Sequence, residues 1–137
     1  MKKHQLIFQQ LSILIFGILL FLSSCSRFED PPRDKFLGGY VLELICGGDS
    51  DIFEVSILPL GSDENAVTII TYEDTIEPLF NLAATVSGND ITITPTELDG
   101  ETYSGNGTLN GNVLTIDFVI TDAMGSGNCT FIATRFD

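Results

Sequence analysis

The residue types best suited to chemistry in this 137-residue chain are three cysteines, one histidine and clustered carboxylates. His4 is the single imidazole, and it lies in an N-terminal segment whose removal is expected below. Without it no Ser-His or Cys-His nucleophile and no histidine proton shuttle can be assembled. Cys25, Cys46 and Cys129 can be acylated, oxidised to a disulfide or used as nucleophiles, and the compartment decides which. Asp49, Asp51 and Glu54 follow Gly47-Gly48 and offer oxygen donors of the kind Ca²⁺ takes, though not at EF-hand spacing. Glu73-Asp74 and the Glu97, Asp99, Glu101 group have the residue types of a glycosidase acid and base. Asp and Gly are equally what hairpin turns require, and carboxylates in turns are ordinarily solvated. We therefore expect no catalytic residue, no metal site and no cofactor.

The chain opens with Lys2, Lys3 and His4, continues through an apolar run from Leu11 to Leu22, and reaches small residues at Ser23-Ser24. That order is the signature of an export signal. A membrane-spanning helix needs about 20 apolar residues, and Gln9, Gln10 and Ser12 interrupt any longer stretch. Cleavage before Cys25 is the expectation. The sequence Leu22-Ser23-Ser24-Cys25 resembles the lipobox of bacterial lipoproteins position by position. The resemblance implies a diacylated Cys25 and attachment to a membrane through that lipid. Ser26, standing where Asp would retain a lipoprotein at the inner membrane, implies the outer membrane, with the domain on its periplasmic face or at the cell surface.

The predicted organisation is thus a signal peptide over 1–24, a lipidated tether over 25–35 and one folded domain over 36–137. The net charge of −13 becomes −15 once Lys2 and Lys3 leave, with Arg27, Arg33, Lys35 and Arg135 as the remaining cations. Nucleic acid is excluded as a partner, because binding it requires Lys and Arg to neutralise phosphates. With Cys25 acylated, Cys46 and Cys129 form an even pair in an oxidising compartment, where a disulfide is expected.

Past the tether, stretches rich in Val, Ile, Thr and Phe alternate with Gly, Asn and Asp. They predict strands over 37–46, 52–60, 65–72, 79–87, 90–96, 102–109, 112–121 and 128–136. Leu82, Ala84 and Val86, and likewise Leu114, Ile116, Phe118 and Ile120, show the period-2 pattern of one buried face. Gly88-Asn89, as a two-residue turn, pairs Val86 with Ile91, Ala84 with Ile93 and Leu82 with Pro95. Asn110-Gly111 in the same role sets Gly107 against Leu114, Gly105 against Ile116 and Tyr103 against Phe118. Asp99-Gly100 fails as a two-residue loop, since it would set outward Thr96 against inward Tyr103, so a bulge or an odd-length loop is predicted there.

Cys46 ends the first predicted strand and Cys129 begins the last, each on an apolar face. An eight-strand up-and-down meander makes these strands neighbours only if it closes, so an all-β, antiparallel barrel with a disulfide across its seam is predicted. Direct opposition of the cysteines sets Leu44 against Phe131, Leu42 against Ala133 and Tyr40 against Arg135. Gly38-Gly39-Tyr40 and Arg135 resemble the Gly-Xaa-Trp motif and the late Arg of lipocalins, with Tyr in place of Trp. The chain is similar in this to the small lipocalin-like lipoproteins of Bacteroidota, within the calycin group. That resemblance implies a barrel binding a small apolar or amphipathic ligand. If the interior holds a pocket, the inward aromatics Tyr40, Tyr103, Phe118, Phe80 and Phe131 supply its lining, with Tyr40, Tyr103 and Phe118 as the expected contacts. Tyr40 and Arg135 can equally plug one barrel end through a cation–π contact. Inward Gly105 and Gly107 either let the sheet bend or leave room for a ligand. The alternative function is a side-chain-filled barrel serving as a protein-interaction or structural envelope lipoprotein.

Overall fold

The computed structural model describes residues 29–72 and 78–136. Cys25 with its signal segment, and Glu73-Asp74, lie outside the described residues. Eight strands run through them: β1 (Gly38–Cys46), β2 (Asp49–Pro59), β3 (Ala66–Tyr72), β4 (Pro78–Ser87), β5 (Asp90–Leu98), β6 (Glu101–Asn110), β7 (Val113–Asp122) and β8 (Gly125–Arg135). Each pairs antiparallel with the next and β8 returns to β1, giving a closed up-and-down barrel. Alternation drives closure: Leu82, Ala84, Val86, Ile91, Ile93, Leu114, Ile116 and Phe118 are all buried in one core, while the residues between them face water.

The seam has the expected register. Cys46 opposes Cys129, Leu44 opposes Phe131, Leu42 opposes Ala133 and Tyr40 opposes Arg135. The cysteines are bonded, with Cα atoms 4.4 Å apart, the close spacing of a non-hydrogen-bonded antiparallel pair. The link spans 83 residues of sequence, and constraining so long a loop in the unfolded chain is worth on the order of 4 kcal/mol.

Two registers differ from expectation. The β6–β7 turn is Gly111-Asn112, so Gly107 faces Ile116, Gly105 faces Phe118 and Tyr103 faces Ile120. Gly111 supplies the positive φ (62°) at the first turn position. The slip is two residues, so every side chain keeps its face. Asp99-Gly100 is a two-residue loop after all: φ is positive at both residues (52° and 85°), as a type I′ turn demands, and Thr96 does pair with Tyr103. The irregularity sits upstream, between Ile93 and Thr96. Pro95 lacks an N–H for the ladder, so the extra residue is absorbed beside it and Thr96 and Leu98 turn inward. The Leu82–Pro95 pair is accordingly absent from the β4–β5 register, which otherwise runs as predicted.

Gly105 and Gly107 are explained by curvature. A Cβ on either would lie 2.6 Å from the carbonyl oxygen of Asp117 or 2.4 Å from that of Thr115, so only glycine lets β6 approach β7 this closely.

Candidate functional site

The two ends of the barrel are built differently. At one end the chain enters β1 through a single 3₁₀ turn, Asp34–Phe36, and leaves β8 at Arg135. Phe36 and Tyr40 are fully buried there. The Tyr40 hydroxyl donates to the Phe36 carbonyl (2.8 Å) and accepts from Arg135 Nη2 (2.7 Å), while the Arg135 guanidinium lies 5.2 Å from the Tyr40 ring centroid. Arg135 Nη2 also donates to the Lys35 carbonyl. Arg33 Nη1 donates to the Asp63 and Gly61 carbonyls of the β2–β3 loop, and Lys35 Nζ donates to Asn89 Oδ1 (2.7 Å) in the β4–β5 turn. Phe136 covers Gly39, where a Cβ would meet its ring at 2.5 Å. This end is plugged.

Tyr40, expected as a ligand contact, lies inside this plug, with its ring against Arg135 and its hydroxyl held by Phe36 and Arg135. A period-2 pattern places a residue on the inner face without telling which end it serves.

At the opposite end, beyond the disulfide, the inner face opens into a cavity of about 340 Å³. Tyr103 and Phe118 both line it, together with Phe53, Phe80 and Phe131. The rings form a continuous chain. Phe53 meets Phe80 edge-on with centroids 6.1 Å apart, Phe80 lies 6.4 Å from Phe131, Phe131 stacks on Phe118 at 4.4 Å, and Phe118 lies 5.8 Å from Tyr103. Leu44, Leu82, Leu98 and Ile120 fill the intervals. An apolar lining with few polar groups is the usual make-up of a small-molecule site.

Three lining residues are polar: Thr71, Asp99 and Tyr103. Thr71 is 1% exposed and its Oγ1 has no hydrogen-bond partner among the described residues. The Tyr103 hydroxyl donates to Glu101 Oε2. That bond, burial and the negative charges of Glu101 and Asp99 push the phenol up to about 12, so it stays a neutral donor at any physiological pH. Within the Glu97, Asp99, Glu101 group, Glu97 and Asp99 are exposed as expected of turn acids, while Asp99 also borders the cavity and Glu101 is tied to it through Tyr103. Among the described residues no set of three or more His, Cys, Asp or Glu is grouped to hold a metal ion.

Phe53 and Thr71 escaped the sequence reading. Both were accessible to it: Thr71 continues the inner face of Val67 and Ile69, where a hydroxyl on an apolar face stands out, and Phe53 continues that of Val55 and Ile57.

No family model and no curated protein matches the chain. A solved structure described as a redesigned beta barrel is similar to it at a TM-score of 0.53 and 16% identity, over 78% of this chain and 96% of its own. The likeness is one of fold.

Proposed function

We propose that this protein is a lipid-anchored lipoprotein of the outer membrane, lipocalin-like in architecture, that binds a small apolar or amphipathic ligand in the mouth of its barrel. The observation carrying this reading is the cavity of about 340 Å³ with its chain of five aromatic rings, left open by the described residues at one end of a barrel whose other end is plugged. Binding rather than catalysis fits a lining that is apolar apart from Thr71, Asp99 and Tyr103.

The anchor fits the same polarity. Arg33 holds the incoming chain against the β2–β3 loop at the plugged end. Between Cys25 and Glu29, the first described residue, an extended chain reaches at most about 14 Å. A lipid at Cys25 would tether the plugged end to the bilayer and turn the mouth away from it.

Thermal denaturation in the presence of a panel of lipids and hydrophobic metabolites tests the proposal. A rise in Tm with at least one class, lost when Leu98→Trp fills the mouth, is expected. No response to any member contradicts it. An interaction role has one observation in its favour, the exposed Val41, Ile52 and Val113 on the outer surface of β1, β2 and β7. A barrel unresponsive to ligands that associates with itself through that face, with association lost in Ile52→Lys, would favour this second reading.

A further inference from the structure

Resting on the reading of the mouth as a ligand site, we infer that its ligand is an amphipathic organic cation, with its apolar body among the rings and its ammonium head among rim carboxylates. Strand alternation places those carboxylates. On β2 the inner face that carries Val55 and Phe53 continues outward to Asp51 and Asp49, which oppose Leu44 and Cys46. On β6 it runs from Gly105 through Tyr103 to Glu101, and on β7 from Phe118 through Ile120 to Asp122. Asp99 borders the cavity directly. Above its aromatic chain, the inner surface of the barrel therefore ends in acids contributed by three strands and one turn.

No cation offsets them among the described residues. Arg33, Lys35 and Arg135 are the cations there, and each is committed to the plugged end. An anionic amphiphile would have to bring its head into a field of one sign, with little countercharge within a Debye length of about 8 Å. A cationic head meets attraction at the rim and the negative faces of the aromatic rings just below it, the combination that suits substituted ammonium groups.

Thr71 is the independent mark of a ligand. It points along the inner face of β3 between Val55 and Phe80, it is nine-tenths and more buried, and its hydroxyl is unpartnered among the described residues. Buried hydroxyls are ordinarily satisfied, so one left open against a cavity awaits a polar group from the occupant or its water. The Tyr103 hydroxyl is not available for that role, since it is held by Glu101. That contact also keeps the Glu101 carboxylate beside the cavity.

Calorimetric titration of the purified protein with dodecyltrimethylammonium, dodecanol and dodecanoate, each below its aggregation limit, separates the possibilities. The expected order is cation, neutral, anion, with the cation at least about tenfold tighter than the anion at low salt and the gap narrowing as salt rises. In Asp99→Asn/Glu101→Gln the cation should weaken toward the neutral amphiphile. Asp51→Asn, remote from the Tyr103 contact, should do so in part and guards against misfolding of the double variant. Equal binding of all three, or a preference for dodecanoate, overturns the head-group inference while leaving the mouth as an apolar site. Binding of none overturns that reading as well.

Discussion

The plugged end and the mouth belong to the same eight strands and the same inner-face alternation, yet they end in opposite states. What differs, among the described residues, is the chain that covers them. The plugged end receives a 3₁₀ turn before β1, a six-residue loop between β2 and β3, and Phe136 after β8. Those segments place Phe36 over the core and tie Arg33, Lys35 and Arg135 into hydrogen bonds. Among the described residues the mouth is rimmed by the two-residue turns Gly47-Gly48, Asp99-Gly100 and Ala123-Met124, each too short to fold back over the opening; the β3–β4 connection, residues 73–77, lies outside the described residues. Its aromatic rings pack on one another from the sides, and none of these three turns covers them from above. Barrel periodicity therefore builds a wall, and the connections decide whether an end is core or site.

Exchanging a ring for a methyl group at the two ends should separate them most sharply. Phe36→Ala removes a fully buried plug and is expected to cost about 3–5 kcal/mol in chemical denaturation. Phe53→Ala, half-buried at the mouth, should cost clearly less while weakening ligand binding. Similar losses from both would dissolve the distinction. Opening the seam comes next: with Cys46 and Cys129 both changed to Ala, a loss of about 2–5 kcal/mol is expected. Hydrogen exchange should rise first near the mouth, where the bond lies, and exchange spreading from the plugged end instead would count against the account.

Thr71→Val has the opposite sign. It replaces a buried hydroxyl that has no partner among the described residues with a methyl of the same shape and should stabilise the ligand-free protein by roughly 1 kcal/mol. A drop in Tm would mean that the hydroxyl is already satisfied. The smallest effect is spectroscopic. The Tyr103 phenol titrates near 12 when folded, above about 10 for an unfolded tyrosine. Its contribution to stability is complete below the lower value and is lost as pH rises through the upper. Glu101→Gln should bring one tyrosine's phenolate absorbance to lower pH, and an unchanged titration curve would dissociate Tyr103 from Glu101.

Much of the wall was legible. Gly88-Asn89 set the β4–β5 pairing because a two-residue turn and two apolar faces admit one register, and Cys46 with Cys129 disclosed the seam. The β6–β7 register was misread because Asn110-Gly111 and Gly111-Asn112 both put glycine in the turn. Moving the turn by one residue shifts the register by two, a slip to which alternation is blind. At Asp99-Gly100 the conflict between outward Thr96 and inward Tyr103 was real, but the break lay at Pro95, where the missing N–H makes a bulge cheap. The site was legible by residue type and not by depth. Tyr40 and Tyr103 look alike as inward aromatics, and their separation to opposite ends follows from strand direction combined with the 3₁₀ plug.

Amide and aromatic chemical-shift mapping during titration with a neutral alkyl probe tests the asymmetry of the barrel most directly. Perturbations are expected at Leu44, Phe53, Phe80, Leu98, Tyr103 and Phe118, with Phe36, Tyr40 and Arg135 unmoved. Shifts centred on the plugged end or on the outer face of β1 and β2 would contradict it.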